Sequence, residues 1–284
     1  MQLRHRFEYA ATATLLGLCR RLPQKGVYTL FHGIGKLTYH LLGRRTRLTL
    51  RNLEIAFPDK TRAERKDLAK RCYINLAESM AFNSLMMNGR ISNDELLNSV
   101  ETDGWENVEK AKATGKGLLV FGAHIGNWEL MPQYTALRID TPLHVVARKT
   151  DNPLLEEKIV RPLRERFGIV IFYKKKALMR IMKVLKNGGV AGFLIDQKLN
   201  PPEGIRVEFF GREAPTTSSL ALLQIRFGVV ALPAFMVKAE NGKYRMVIRE
   251  PIQWQDNGSP KEEQVAELTR IHQKTIEEII REYP

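Results

Sequence analysis

A chain of 284 residues can bury one sizeable core, or one core with a small helical appendage. Its hydrophobic fraction of 44% is ordinary for a globular protein and too low for one that crosses a membrane many times. The 45 Lys and Arg against 31 Asp and Glu give a net charge of +14. Such an excess speaks to partners and not to fold: nucleic acid, anionic lipid headgroups or an acidic protein. Residues 1–51 carry ten cations and one anion, Glu8, so +9 of the +14 lies in under a fifth of the chain. Cys19 and Cys72 stand far apart with no CxxC spacing, which argues against a disulfide framework or a zinc site and suits a reducing compartment.

Between Arg4/Arg6 and Arg20/Arg21 runs a mainly apolar stretch, 7–19. It is shorter than the roughly 20 residues a spanning helix needs, and it lacks the small-residue cleavage site of a signal peptide. In 27–42, Tyr28, Leu30, Phe31, Ile34, Leu37 and Leu41 recur at spacings of three and four, which predicts an amphipathic helix. Cations and apolar runs coincide here, so residues 1–45 are expected to form helices held at a membrane interface. The alternative is a helix packed on the main domain with a solvated basic face. His32 and His40 on this stretch are read as structural.

Thr61 can cap a helix over 61–88. From Gly115 short apolar runs alternate with amphipathic ones. Strands are expected at 118–121, 143–147, 169–172 and 190–195, and helices at 126–137, 153–167 and 177–187. Gly168 and Gly188-Gly189 fall where helices should stop. An extended 206–210, a helix over 215–227, strands at 229–237 and 244–249, and a closing amphipathic helix over 260–281 follow. The alternation predicts an α/β domain over 46–284 with a mostly parallel central sheet flanked by helices. There are no internal repeats, low-complexity tracts or evident linkers.

The sharpest local signal is Gly122-Ala123-His124-Ile125-Gly126-Asn127-Trp128-Glu129, directly after a predicted strand and opening a predicted helix. Residues five apart on a regular helix differ by roughly 140° in direction, so His124 and Glu129 would not face each other there. They meet only if His124 sits in the turn and Glu129 in the first helical turns. A carboxylate on one imidazole nitrogen fixes the tautomer and leaves the other nitrogen as a base. With no protein nucleophile beside the pair, the nucleophile is expected to be a substrate hydroxyl. The His-Glu-x-x-His pattern of a zinc site is absent.

These residues resemble the His-x4-Glu motif of the lauroyl/myristoyl type of late acyltransferases of lipid A biosynthesis, relatives of the glycerolipid acyltransferases. Further pieces fall in the same order: Asn52-Leu53 to Phe57-Pro58, Arg148 with Asp151-Asn152-Pro153-Leu154, Arg164-Glu165-Arg166, Asp196-Gln197, and Val207–Arg212 with Ala214-Pro215-Thr216-Thr217. The resemblance covers roughly residues 5–284. Family members commonly continue into a Trp/His/Arg-rich tail, where this sequence reads Glu282-Tyr283-Pro284.

The resemblance implies a glycerolipid-acyltransferase-like fold and an enzyme of the cytoplasmic face of the inner membrane. It implies transfer of an acyl chain from an acyl-acyl carrier protein to a hydroxyl of a lipid A precursor, with His124 as base, Glu129 as its orienter and no covalent enzyme intermediate. No metal or cofactor is expected, since a thioester is already activated. Arg164 is expected to stabilise the oxyanion or bind a phosphate, or else to be a solvated cation. Asn127, Arg148, Lys149, Asp196 and Gln197 complete the expected substrate contacts, with a turn cap as the alternative for Asp196. Lys174–Lys176 with Arg180, Lys183 and Lys186 form a basic strip suited to an acidic carrier protein. An acyl-CoA-dependent transferase of another glycolipid or glycerolipid shares these motifs. A non-catalytic nucleic-acid-binding protein fits the charge, but no helix-turn-helix, RNP or zinc-finger pattern accompanies it.

Overall fold

The computed structural model describes residues 3–173, 177–199 and 204–284. It divides into two compact units, one of Met1–Leu96 with Thr150–Val160 and Pro284, the other of Leu97–Lys149 with Arg161–Tyr283.

The first unit is helical: α1 (Leu3–Arg21), α2 (Gln24–Leu41), α3 (Gly43–Ala56) and α4 (Arg62–Met87). Thr61 starts α4 as expected, through a capping box. Its hydroxyl accepts the Glu64 N–H at 3.3 Å, and the Glu64 carboxylate accepts the Thr61 N–H at 2.7 Å. Gly35 lets α2 lie close on α4, since a Cβ there would stand 3.0 Å from the Tyr73 carbonyl oxygen and the Ala77 methyl. His32, expected to be structural, lies 3.2 Å from Glu78 of α4. The expected boundary at residue 45 falls inside α3, a helix the sequence reading missed because its cations interrupt the apolar rhythm. Among the described residues no helix is long and apolar enough to cross a membrane.

The short helix α5 (Asn93–Asn98) leads into the second unit, which continues with β1 (Val100–Asp103), α6 (Glu106–Lys112), β2 (Leu118–Gly122), α7 (Leu130–Arg138) and β3 (Leu143–Ala147). Next comes α8 (Pro153–Leu155), in the segment that clusters with the first unit. There Asn152 caps α8 through its Oδ1 and donates its amide to the His5 carbonyl and to Glu8, both at 2.9 Å, which ties the segment to α1. The chain then passes through a π-helical turn (Glu156–Val160), α9 (Arg161–Arg164) and a 3-10 turn (Arg166–Gly168). The predicted unbroken helix over 153–167 is therefore corrected. Pro162 has no N–H to extend the ladder, and Phe167 and Gly168 turn left-handed, at φ 61 and φ 76.

After β4 (Val170–Tyr173), α10 (Ala177–Lys186) and β5 (Val190–Leu194) comes a hairpin, β6 (Gly204–Phe209) with β7 (Arg212–Thr217), then α11 (Ser219–Phe227), β8 (Val230–Lys238), β9 (Tyr244–Ile248) and α12 (Lys261–Glu282). The hairpin takes residues 212–217 as strand, so α11 begins at Ser219 and not at the expected residue 215. Seven strands form one sheet in the order β1-β9-β8-β2-β5-β3-β4, parallel except at β8–β9. This is the expected mostly parallel sheet.

Helices cover both faces of the sheet. Leu119 and Phe121 of β2 point into a core shared with Ile181 and Leu185 of α10, Leu220 of α11 and Ile276 of α12. Leu118 and Val120 point the other way, toward Val108 of α6 and Thr135 of α7.

Candidate active site

The site lies at the carboxyl ends of the parallel strands, where open α/β sheets expose loop residues. Strand β2 stops at Gly122, and α7 does not start until Leu130, so residues 123–129 form turns. The expected helix start at 126 is thus four residues early. Gly126 sits at φ 56, and a Cβ there would lie 2.0 Å from the Met236 carbonyl oxygen. The next N–H, of Asn127, donates to that same oxygen at 3.0 Å. The turn is therefore pressed onto β8, and only glycine fits at its tightest point. Asn127 is buried, its backbone committed to this contact.

The turn presents His124 to the neighbouring strand. His124 Nδ1 lies 2.8 Å from Asp196 Oδ1, and the His124 backbone N–H donates to Asp196 Oδ2 at 3.1 Å. One carboxylate thus grips both the ring and the backbone of the histidine. With Nδ1–H donated to Asp196, the other ring nitrogen carries the lone pair, and the Gln197 side-chain amide donates to it at 3.3 Å. Trp128 stacks edge-on against the imidazole at 5.2 Å between centroids. The His124 and Asp196 side chains are 31% and 22% exposed, so a substrate can reach the ring.

Glu129 does not hold His124, and the expected orienter is corrected. The Glu129 carboxylate is taken up by Arg164, whose Nη2 lies 2.5 Å from Oε1 and whose Nε lies 3.2 Å from both oxygens. The physical reason is the late start of α7: Glu129 is the residue just before the helix, makes no side-chain cap bond there, and lies outside its first turn. Arg164 also reaches the Arg148 carbonyl at 3.5 Å.

The structure thus gathers the expected residues into two groups on one turn: His124 with Asp196 and Gln197, and Glu129 with Arg164. Arg148 and Lys149 leave β3 on the same side of the sheet, and the Lys149 ammonium lies 4.9 Å from the Tyr173 ring centroid. Arg180, Lys183 and Lys186 lie on α10, while Lys174–Lys176 of the predicted basic strip lie outside the described residues. Trp128 is the neighbour of the histidine that sequence reasoning passed over. Its aromatic character four residues on was the available signal. Among the described residues no three His, Cys, Asp or Glu side chains converge as a metal site.

Comparison with known proteins matches residues 2–284 to the family model described as bacterial lipid A biosynthesis acyltransferase. Three relatives bear related names. A lipid A biosynthesis lauroyltransferase of Escherichia coli is 27% identical over 84% of this chain and 76% of its own length. A lipid A biosynthesis acyltransferase of Haemophilus influenzae is 24% identical over 72% of this chain and 64% of its own length. A lipid A biosynthesis palmitoleoyltransferase of Escherichia coli is 26% identical over 92% of this chain and 84% of its own length. With a histidine on the turn after β2 gripped by a carboxylate and a family match along nearly its whole length, the chain belongs to the bacterial lipid A biosynthesis acyltransferases and is an O-acyltransferase.

Proposed function

We propose that the protein transfers a fatty acyl chain from an acyl-acyl carrier protein to a hydroxyl of a lipid A precursor, with His124 as general base. The observation that carries this reading is the bond between His124 Nδ1 and Asp196, which puts the lone pair on Nε2, where a substrate hydroxyl replaces the Gln197 amide as donor. The acceptor hydroxyl gives its proton to that nitrogen while its oxygen attacks the thioester carbonyl. The tetrahedral adduct collapses to the new ester and a thiolate, and the imidazolium returns the proton to sulfur. No covalent bond to the enzyme forms. Asp196 holds the tautomer and balances the imidazolium charge, and a base so held supplies about 10²–10⁴-fold in rate.

Arg164, fixed by Glu129, is the cation assigned to the developing oxyanion or to an acceptor phosphate. Arg148 and Lys149, just past β3, are assigned to phosphates of the acceptor. An acyl chain needs apolar walls, and about 0.8 kcal/mol is gained per buried methylene.

A lipid acceptor requires work at a bilayer surface. Leu3, Phe7, Leu37, Leu41, Leu42 and Leu48 are large exposed apolar side chains of the first 51 residues, interleaved with exposed Arg4, Arg6, Arg44, Arg45 and Arg47. That composition favours an interfacial seat on anionic lipid, at the cytoplasmic face of the inner membrane where carrier-protein thioesters are available.

The test is a paired assay of the protein and His124→Ala, each offered a tetra-acylated lipid A precursor with carrier-protein or CoA thioesters, products read by mass. A gain of one acyl chain from the carrier-protein donor, lost in the variant, is expected. A gain from CoA thioesters alone would reassign the donor, and equal gain in both proteins would remove His124 from the chemistry.

A further inference from the structure

The peptide that launches Asp196 is gripped by side chains from two distant elements. Ile195 follows the last residue of β5, where the sheet ladder ends. Its N–H still reaches the Gly122 carbonyl of β2, at 3.2 Å. Its carbonyl has left the ladder and is enclosed, in a residue 2% exposed. An enclosed carbonyl without a donor is costly, so its partners matter. The Thr216 hydroxyl donates to it at 3.3 Å, the Gln273 amide donates to it at 3.2 Å, and the same Gln273 amide reaches the Thr216 oxygen at 3.0 Å.

These three groups close a buried triangle, with Thr216 5% and Gln273 3% exposed. The carbonyl of Ile195 and the N–H of Asp196 belong to one rigid peptide plane. Fixing that carbonyl fixes the direction in which the Asp196 Cα leaves the sheet. Asp196 in turn must meet two donors of His124, at 2.8 and 3.1 Å, and such a double contact tolerates little rotation.

We infer that Gln273 of α12 and Thr216 of β7 are positioning residues for the reaction, clamping the Ile195 carbonyl so that Asp196 meets both His124 donors. The inference rests on the reading of His124 and Asp196 as base and orienter. It gives a role to the threonine of the Ala214–Thr217 segment and to a glutamine 77 residues beyond Asp196, neither of which touches substrate.

The test uses the full chain with near-isosteric substitutions, Gln273→Met and Thr216→Val, singly and together, in the native background and with Asp196→Asn. Each single change removes two of the triangle's three neutral hydrogen bonds and leaves the Ile195 carbonyl one donor, so kcat falls about fivefold, and the pair, which removes all three, lowers it about tenfold or more. KM for donor and acceptor stays within about twofold, because neither residue binds them. With Asp196→Asn in place the pair costs less than about twofold, since the clamp acts through that carboxylate. Thr216→Ser, which keeps the hydroxyl, recovers most of the loss of Thr216→Val.

Circular dichroism of each variant verifies folding, and should the paired variant not fold, each single variant is read by the same cycle. An equal loss with and without Asp196→Asn, a loss lying in KM, or no loss at all would overturn the inference. If His124→Ala and Asp196→Asn themselves turn over normally, the reading of the base has failed and the inference falls with it. If those two are impaired while the clamp variants are not, only the inference falls.

Discussion

His124 and Asp196 meet at 2.8 Å although 72 residues separate them, because Gly122 of β2 and Leu194 of β5 are register partners in adjacent parallel strands. Two residues beyond each partner, the chains leave the sheet on the same side. The histidine and its carboxylate are thus a product of strand order. Replacing Asp196 with Ala removes the group that fixes the tautomer, and turnover is expected to fall by roughly 10²-fold or more with the fold intact. Steady-state kinetics with parallel thermal unfolding checks it, and a loss under about threefold would remove Asp196 from the mechanism.

Glu129 is expected to act through Arg164. Glu129→Gln leaves a guanidinium that is only 21% exposed without its carboxylate, and turnover should fall about tenfold. In an Arg164→Ala background the same change should cost less than about twofold, because its partner has gone. Arg164→Lys keeps the charge but loses the fork, so it should not restore activity. Full additivity of the Glu129 and Arg164 losses would favour a separate, direct role for Glu129.

Much of this was legible in the sequence. The strand before His124, the alternation of strands and helices, and the candidates His124, Glu129, Arg164 and Asp196 all follow from local pattern and motif. Which carboxylate serves which cation does not. The spacing of His124 and Glu129 suggested a pair, but pairing was decided by β5 inserting beside β2, a long-range choice that local periodicity does not encode. The length of the turn was hidden for a similar reason. Gly126 ends its run of allowed conformations against the Met236 carbonyl of a strand more than a hundred residues away. Strand β1 escaped notice because four residues containing Glu101, Thr102 and Asp103 carry too little apolar signal.

Gly126→Ala tests the turn. An added Cβ would sit 2.0 Å from a backbone oxygen, at a left-handed φ of 56 that alanine also disfavours. Neither strain can be relieved by a side-chain rotation. The variant should lose about 3 kcal/mol of stability or fold with a displaced turn, and its turnover should fall further than Asn127→Ala lowers it. Denaturant unfolding compared with the unaltered protein measures the first effect. A change below about 1 kcal/mol with normal activity would show that the turn has slack.

His272 makes stability depend on pH. It is buried on α12 against the Phe121 ring, with Nε2–H donated to Gln224 at 3.0 Å, and burial lowers its pKa from 6.5 to about 3. The folded protein keeps the ring neutral, while the unfolded chain takes up a proton as pH falls below 6.5. The contribution is therefore complete above pH 6.5 and is lost as pH falls toward 3, at up to about 1.4 kcal/mol per unit. Urea unfolding at pH 7 and pH 5 should show a stability difference of about 2 kcal/mol that His272→Gln abolishes. An unchanged pH dependence in the variant would assign the slope to other groups.

The N-terminal helices give the last test, by vesicle sedimentation of the full chain. Exposed Phe7 and Leu41 can enter the acyl boundary while Arg44, Arg45 and Arg47 meet the headgroups. A cation near an anionic surface contributes about 1 kcal/mol, so Arg44→Gln, Arg45→Gln and Arg47→Gln together should weaken binding to anionic vesicles about a hundredfold. Added salt should weaken the unaltered protein in the same direction. Phe7→Ser removes about 2 kcal/mol of apolar burial, so it should weaken binding to anionic and neutral vesicles alike. If the charge variant binds anionic vesicles as tightly as the unaltered chain, the cations of α3 face something other than lipid, and the acidic carrier protein becomes the next surface to titrate against them.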